Sequence, residues 1–144
     1  MTRIASSPAD MRTMLKACVI ALCCVPAPVV AAKGLAQEEA LNEGLIAISM
    51  ANVIRETCRS ISARMLTAWF YIKTLETEAQ SLGYSAQEVT AFVKDPMEKK
   101  RVLSIAQERL ADHGVIPEQP ATYCTLGLAE IEAGSAIGKL LKAK

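Results

Sequence analysis

The sequence predicts an all-α protein: a compact bundle of about five helices behind a cleaved signal peptide. Three observations carry that expectation. Apolar residues recur at steps of three and four from Leu41 onward, the spacing of helical faces. No stretch alternates apolar and polar residues as a half-buried strand does. Residues 11–32, MRTMLKACVIALCCVPAPVVAA, have the layout of a secretory signal.

In that N-terminal segment Arg12 and Lys16 form the positive end, and Ala17 to Val25 form an unbroken apolar run. Pro26 and Pro28 interrupt any helix, and Val30-Ala31-Ala32 places small residues at the cleavage positions. Cleavage between Ala32 and Lys33, or one residue earlier, leaves residues 33–144 as a single helical domain. Translation from Met11 or Met14 serves a signal as well as translation from Met1. The apolar run is far short of the roughly 20 residues that span a bilayer, so no membrane span is expected after processing. Leu22 before Cys23 argues against a lipoprotein signal. The expected destination is the bacterial periplasm or the medium. The competing reading is a buried N-terminal helix in a cytoplasmic protein.

The 144 residues are 51% hydrophobic, 22% charged and 4% aromatic, with five cysteines. That excludes a disordered chain and a Cys-dense miniprotein scaffold. Removing Arg3, Arg12, Lys16 and Asp10 with the signal takes the formal net charge from +1 to −1. A near-neutral total gives no reason to seek nucleic acid or an anionic membrane. Cys18, Cys23 and Cys24 leave with the signal. Cys58 and Cys124 then most simply form one disulfide in an oxidising compartment, with free buried thiols as the alternative.

The first helix carries Leu41, Leu45, Ile48, Ala51, Ile54, Cys58 and Ile61 on one face. A break near Arg59–Ser62, with Ser60 or Ser62 as N-cap, turns it into a second helix. That helix has Met65, Trp69, Ile72, Leu75, Ala79 and Leu82 as its core stripe and Gly83 as a left-handed stop. Ser85 to Glu88 form a capping box that opens a short third helix. Asp95-Pro96 ends it and starts the fourth, with Glu98 set to repeat the box and Leu103, Ala106 and Leu110 facing inward. Gly114 closes the fourth helix, and Val115–Gln119 is a loop. A fifth helix runs from Pro120 toward Ala133 with Cys124, Leu128 and Ile131 on one side. Lys139–Lys144 is expected to be a final turn or a frayed end.

Chemistry-bearing groups are sparse. His113 beside Gly114 suits a helix C-terminus, where its charge faces carbonyl ends. One histidine and two cysteines expected to be bonded leave no adequate donors for a zinc site, and no cofactor or catalytic motif is present. Paired carboxylates (Glu38 and Glu39, Glu130 and Glu132) read as solvated helix faces. Arg55, Arg59 and Arg64, interleaved with Ser60 and Ser62, are a candidate grip for a small anion or a partner. Their plainer role is to neutralise the end of the first helix and pair with Glu56. Glu98-Lys99-Lys100-Arg101 reads as a solvated helix face. Phe70 and Tyr71 turn away from Trp69 around their helix, which suggests a partner-binding patch or a helix buried on two sides.

Four stretches, Ile61–Met65, Leu82–Ser85, Thr122–Leu128 and Gly134–Leu141, resemble a family of small exported proteobacterial proteins known only as a domain of unknown function. The likeness covers about Leu41 to Leu141 and includes both cysteines. It implies a helical periplasmic domain with no assigned activity, no cofactor and no catalytic residues to carry over. The resemblance also implies an association of such genes with operons for the respiratory NADH:quinone oxidoreductase, which is not evidence of a subunit. The expected function is a non-enzymatic binding or accessory protein for an envelope partner, a respiratory assembly among the candidates. The alternative is a small-anion binder or small helical enzyme working through Arg55, Arg59 and Arg64.

Overall fold

Helix α1 (Glu39–Thr57) is apolar on two sides, and the other elements pack around it. The computed structural model describes residues 34–144. The signal segment and its cleavage position at Ala32 and Lys33 lie outside the described residues. One side of α1 buries Ile46, Met50, Ala51 and Ile54 in the main core. The other buries Leu41 in a second cluster with Leu75, Ala79 and Val89. Leu45 and Ile48, expected in the main stripe, are only partly buried, Leu45 against this second cluster and Ile48 against both clusters. An apolar helix without a polar face is necessarily central.

Residues around α1 are placed by local chemistry. Asn42 is buried and fully used: its Nδ2 donates to Leu35 O (3.2 Å) and Glu38 O (2.9 Å). Its Oδ1 accepts from Arg101 Nη2 at 2.5 Å. That residue therefore ties the 3-10 turn at Leu35–Gln37 to the bundle.

The break after α1 is not a simple helix-to-helix turn. Ile61–Ala63 is a strand, β1, and Leu141–Ala143 is its antiparallel partner, β2. Ile61 pairs with Ala143, Ser62 with Lys142 and Ala63 with Leu141. Ile61 and Leu141 are each 1% exposed, so the sheet's inner face closes the main core. This corrects three expectations. Ile61 does not continue the face of α1, the tail is not frayed, and neither Ser60 nor Ser62 caps the next helix. Arg64 precedes that helix, with no side-chain cap.

Helix α2 (Met65–Ser81) is rotated from its expected stripe. Leu75 and Ala79 are buried as predicted, with Ala68 and Tyr71 packed partly behind them. Met65, Trp69, Ile72 and Leu82 are exposed instead. Trp69-Phe70-Tyr71-Ile72 is apolar at every helical angle, so two stripes satisfied the same spacing.

The next boundaries follow their signals. Gly83 takes φ 98° after α2 and Gly114 takes φ 82° after α4, conformations only glycine adopts readily. The Ser85–Glu88 box opens α3 (Ala86–Lys94) with both reciprocal bonds formed. Asp95 Oδ1 accepts from Met97 and Glu98 N–H to open α4 (Pro96–Asp112). Glu98 does not complete a second box, because its carboxylate accepts from Arg101 Nε at 2.7 Å. Ala106 and Leu110 face the core, while Leu103 is exposed.

Helix α5 (Pro120–Ala133) turns Tyr123 and Gly127 inward and leaves Leu128 exposed. A Cβ on Gly127 would sit 2.5 Å from Ile61 Cδ1 and 2.6 Å from Ile54 Cγ2. Glycine lets α5 approach α1 and β1 this closely. The result is an all-α fold of five helices among the described residues, closed at one end by a two-stranded sheet.

Candidate functional site

Cys58 and Cys124 are bonded, with Cα atoms 5.1 Å apart, joining the end of α1 to α5. Cys58 is fully buried at this junction. The pair is a structural staple, not a source of thiol chemistry.

The three arginines have no common partner. Arg55 Nε and Nη2 donate to Asn52 Oδ1 at 2.9 and 2.5 Å, and Nη2 lies 3.4 Å from Glu56. Arg59 sits in the turn after α1, and Arg64 lies just ahead of α2, both exposed. Neither makes an ion pair among the described residues. His113 is the C-cap residue of α4, with its backbone N–H donating to Arg109 O. The Glu98–Arg101 run is not merely a solvated face, because Arg101 is half-buried and spans Glu98 and Asn42.

The feature that stands out is the start of α2. Met65 is 71% exposed, Leu66 76%, Trp69 53% and Phe70 61%. The Trp69 and Phe70 rings meet edge to face with centroids 4.9 Å apart. Around a helix of 100° per residue, Leu66, Trp69 and Phe70 point away from the Ala68–Leu75 side that meets the core. Farther along, the outward positions Thr74, Thr77 and Gln80 are polar, and both threonine hydroxyls bond back to helix carbonyls. The outward face of α2 is thus apolar over its first two turns and polar beyond them, with Ile72 and Leu82 exposed away from that face. Exposed large apolar side chains that adjoin one another mark interaction surfaces more reliably than scattered ones. The sequence offered the cluster as a hint but assigned Trp69 to the core.

Two other surface features bear on ligand chemistry. A groove of about 460 Å³ between α1, α3 and α4 is walled by Leu45, Ile48, Phe92, Val93 and Leu103, which accounts for the exposure of Leu103. It holds no convergent set of reactive groups. Across α1 and α4, Arg109 Nη1 and Nη2 donate to the two Glu43 oxygens at 2.5 and 2.6 Å.

The hydrogen bond from Arg109 holds the Glu43 carboxyl below the usual range. Both side chains are substantially exposed, so solvent screens the pair to less than about 1 kcal/mol. A depressed carboxylate stabilises the fold above its unfolded pKa and loses that contribution as pH falls through its folded value. We expect Glu43→Gln to cost a fraction of that kcal/mol at pH 7. The gap between the denaturation midpoints of the two proteins should narrow as pH falls below the unfolded carboxyl value of about 4.3 and close once pH passes the lowered folded value. A gap that persists at pH 2 would contradict this origin.

Among the described residues no helix is long and apolar enough to cross a membrane, and no three His, Cys, Asp or Glu side chains are grouped to hold a metal. No curated protein and no solved structure matches the chain. The model of a family of unknown function, DUF5333, matches residues 33–142, and the chain belongs to that family.

Proposed function

We propose that this protein is an exported, non-enzymatic binding protein of the bacterial envelope, docking its partner through the first two turns of α2. The observation that carries the reading is the cluster of adjoining exposed side chains Met65, Leu66, Trp69 and Phe70 at one helix start. Export is supported by the signal-like residues 11–32 and by a disulfide suited to an oxidising compartment. An accessory role at a respiratory assembly is one form of this function.

Photo-crosslinking in intact cells tests it. A crosslinker placed at Leu66 should capture one defined neighbour, protein or lipid, and the same group at Thr77 should not. Trp69→Ala/Phe70→Ala should abolish the capture while leaving the helical signal intact. Equal yields at both positions, or none at either, would end the docking reading. The intact mass of the cellular protein decides export separately, with loss of residues 1–32 expected and a full-length chain against it.

A further inference from the structure

We propose that the partner seated on this face is the surface of an anionic phospholipid bilayer. The inference rests on the reading of α2 as a docking face and names its occupant. Its basis is a separation of charge that the near-neutral total conceals. Pairing of β1 with β2 brings residues 60–64 beside residues 140–144, within the longer stretches 57–75 and 133–144. Of the chain's 15 Asp and Glu residues, none falls in either segment. Arg59, Arg64, Lys139, Lys142 and Lys144 all do, each is exposed, and none makes an ion pair among the described residues. Lys73, the remaining cation, is held by Glu76 at 2.6 Å.

The backbone fixes where these charges stand relative to the apolar patch. Lys142 is opposite Ser62 in the sheet. Lys144 N–H donates to Ser60 O at 2.9 Å, and Arg64 N–H donates to Leu140 O at 2.8 Å. The lysines of the tail therefore flank the segment that runs through Arg64 directly into Met65 and Leu66. One end of the domain presents Trp, Phe, Leu and Met beside five cations that no ion pair holds among the described residues, with Glu130, bonded to Ser135, as an acid that touches the tail.

That composition fits a lipid surface better than a protein. Lysine is depleted in protein–protein interfaces. Lys and Arg beside Trp, Phe and Leu is the make-up of segments that lie in the membrane interface, where aromatic rings enter the headgroup layer and cations meet anionic lipid. A second copy of the chain is disfavoured, because self-association through this face would set the five cations against their own copies.

Trp69 is the only tryptophan in the chain, so its emission reports this face whatever the N-terminal segment does. Protein recovered in its native form from the cell envelope is mixed with phosphatidylglycerol vesicles or with phosphatidylcholine vesicles. We expect Trp69 emission to shift to the blue and to be quenched by nitroxide lipids, with the anionic vesicles only. Raising the salt should reverse the shift. Each cation near an anionic surface is worth about fivefold in partitioning, so Arg64→Gln/Lys142→Gln should weaken binding about 30-fold. These side chains are exposed, and an unchanged melting temperature will show that the variant folds. Equal binding to both vesicle types, or a charge variant that binds as well as the parent, would overturn the inference. Unshifted Trp69 emission together with a Leu66 crosslink to one protein would overturn the lipid occupant and leave the docking reading standing. Loss of both signals would remove both.

Discussion

Replacing Cys58 and Cys124 together by alanine should destabilise the domain by about 4 kcal/mol, the chain-entropy value for a loop of this length. The bond closes a sequence separation of 66 residues. Without it the unfolded chain gains the freedom of that whole loop, which includes three helices and β1. An ordinary domain is stable by about 5–15 kcal/mol, so this single change removes a large share of the total. For a domain of this size the melting temperature should fall by roughly 15 °C or more. Thermal unfolding followed by circular dichroism, with and without reductant, measures it. The oxidised parent should melt highest, and reduced parent and double variant should melt at similar temperatures. A drop of only a few degrees would mean that packing around Cys58 alone holds α1 to α5.

A second large effect is expected from Gly138→Ala. This glycine sits in the 3-10 turn Gly138–Leu140 that docks on the end of α5. A Cβ there would lie 1.8 Å from Glu130 O and 2.3 Å from its carbonyl carbon. Both are backbone atoms of a helix, so no side-chain rotation relieves the clash. The turn must lift, and Leu140 and Leu141, now 4% and 1% exposed, lose their seats in the core. We expect about 3 kcal/mol of destabilisation, at the upper end for overpacking. Gly44→Ala is the informative contrast: its Cβ meets only the flexible end of Leu75, 2.6 Å away. It should cost clearly less. Denaturant midpoints rank the two variants, and amide exchange locates the damage. In Gly138→Ala, protection should be lost first at the β1–β2 pairing. If Gly44→Ala proves the more harmful, the backbone clash is not what governs.

The parts of this fold that were legible in the sequence are those decided within a few residues. The caps at Ser85 and Asp95 and the glycine stops at Gly83 and Gly114 lie where local chemistry puts them. The pairing of Cys58 with Cys124 followed from there being two cysteines in the domain, not from any sense of their distance. The sheet was missed because each strand has three residues, too few to show alternation, and because Ile61 finds Ala143 only through the tertiary fold. The face of α2 was misread for another reason. Four consecutive apolar residues give a helix no preferred side, and the choice fell to what α1 offered. Gly44 admits Leu75 at close range, which turns Trp69 and Phe70 outward. The candidate site was therefore hidden by the same residues that form it. The charge separation was hidden too, because a net charge sums over segments that the sheet later brings together.

The β1–β2 sheet also sets the order of events during biosynthesis. At about 5–20 residues per second, the ribosome delivers Leu141 roughly 4–16 s after Ile61. Until then the core lacks Leu140 and Leu141, and Cys124 has only recently appeared to meet Cys58. Helices can form early, but the seal that joins them is made by nearly the last residues to emerge. Native closure thus waits for nearly the whole chain to be made.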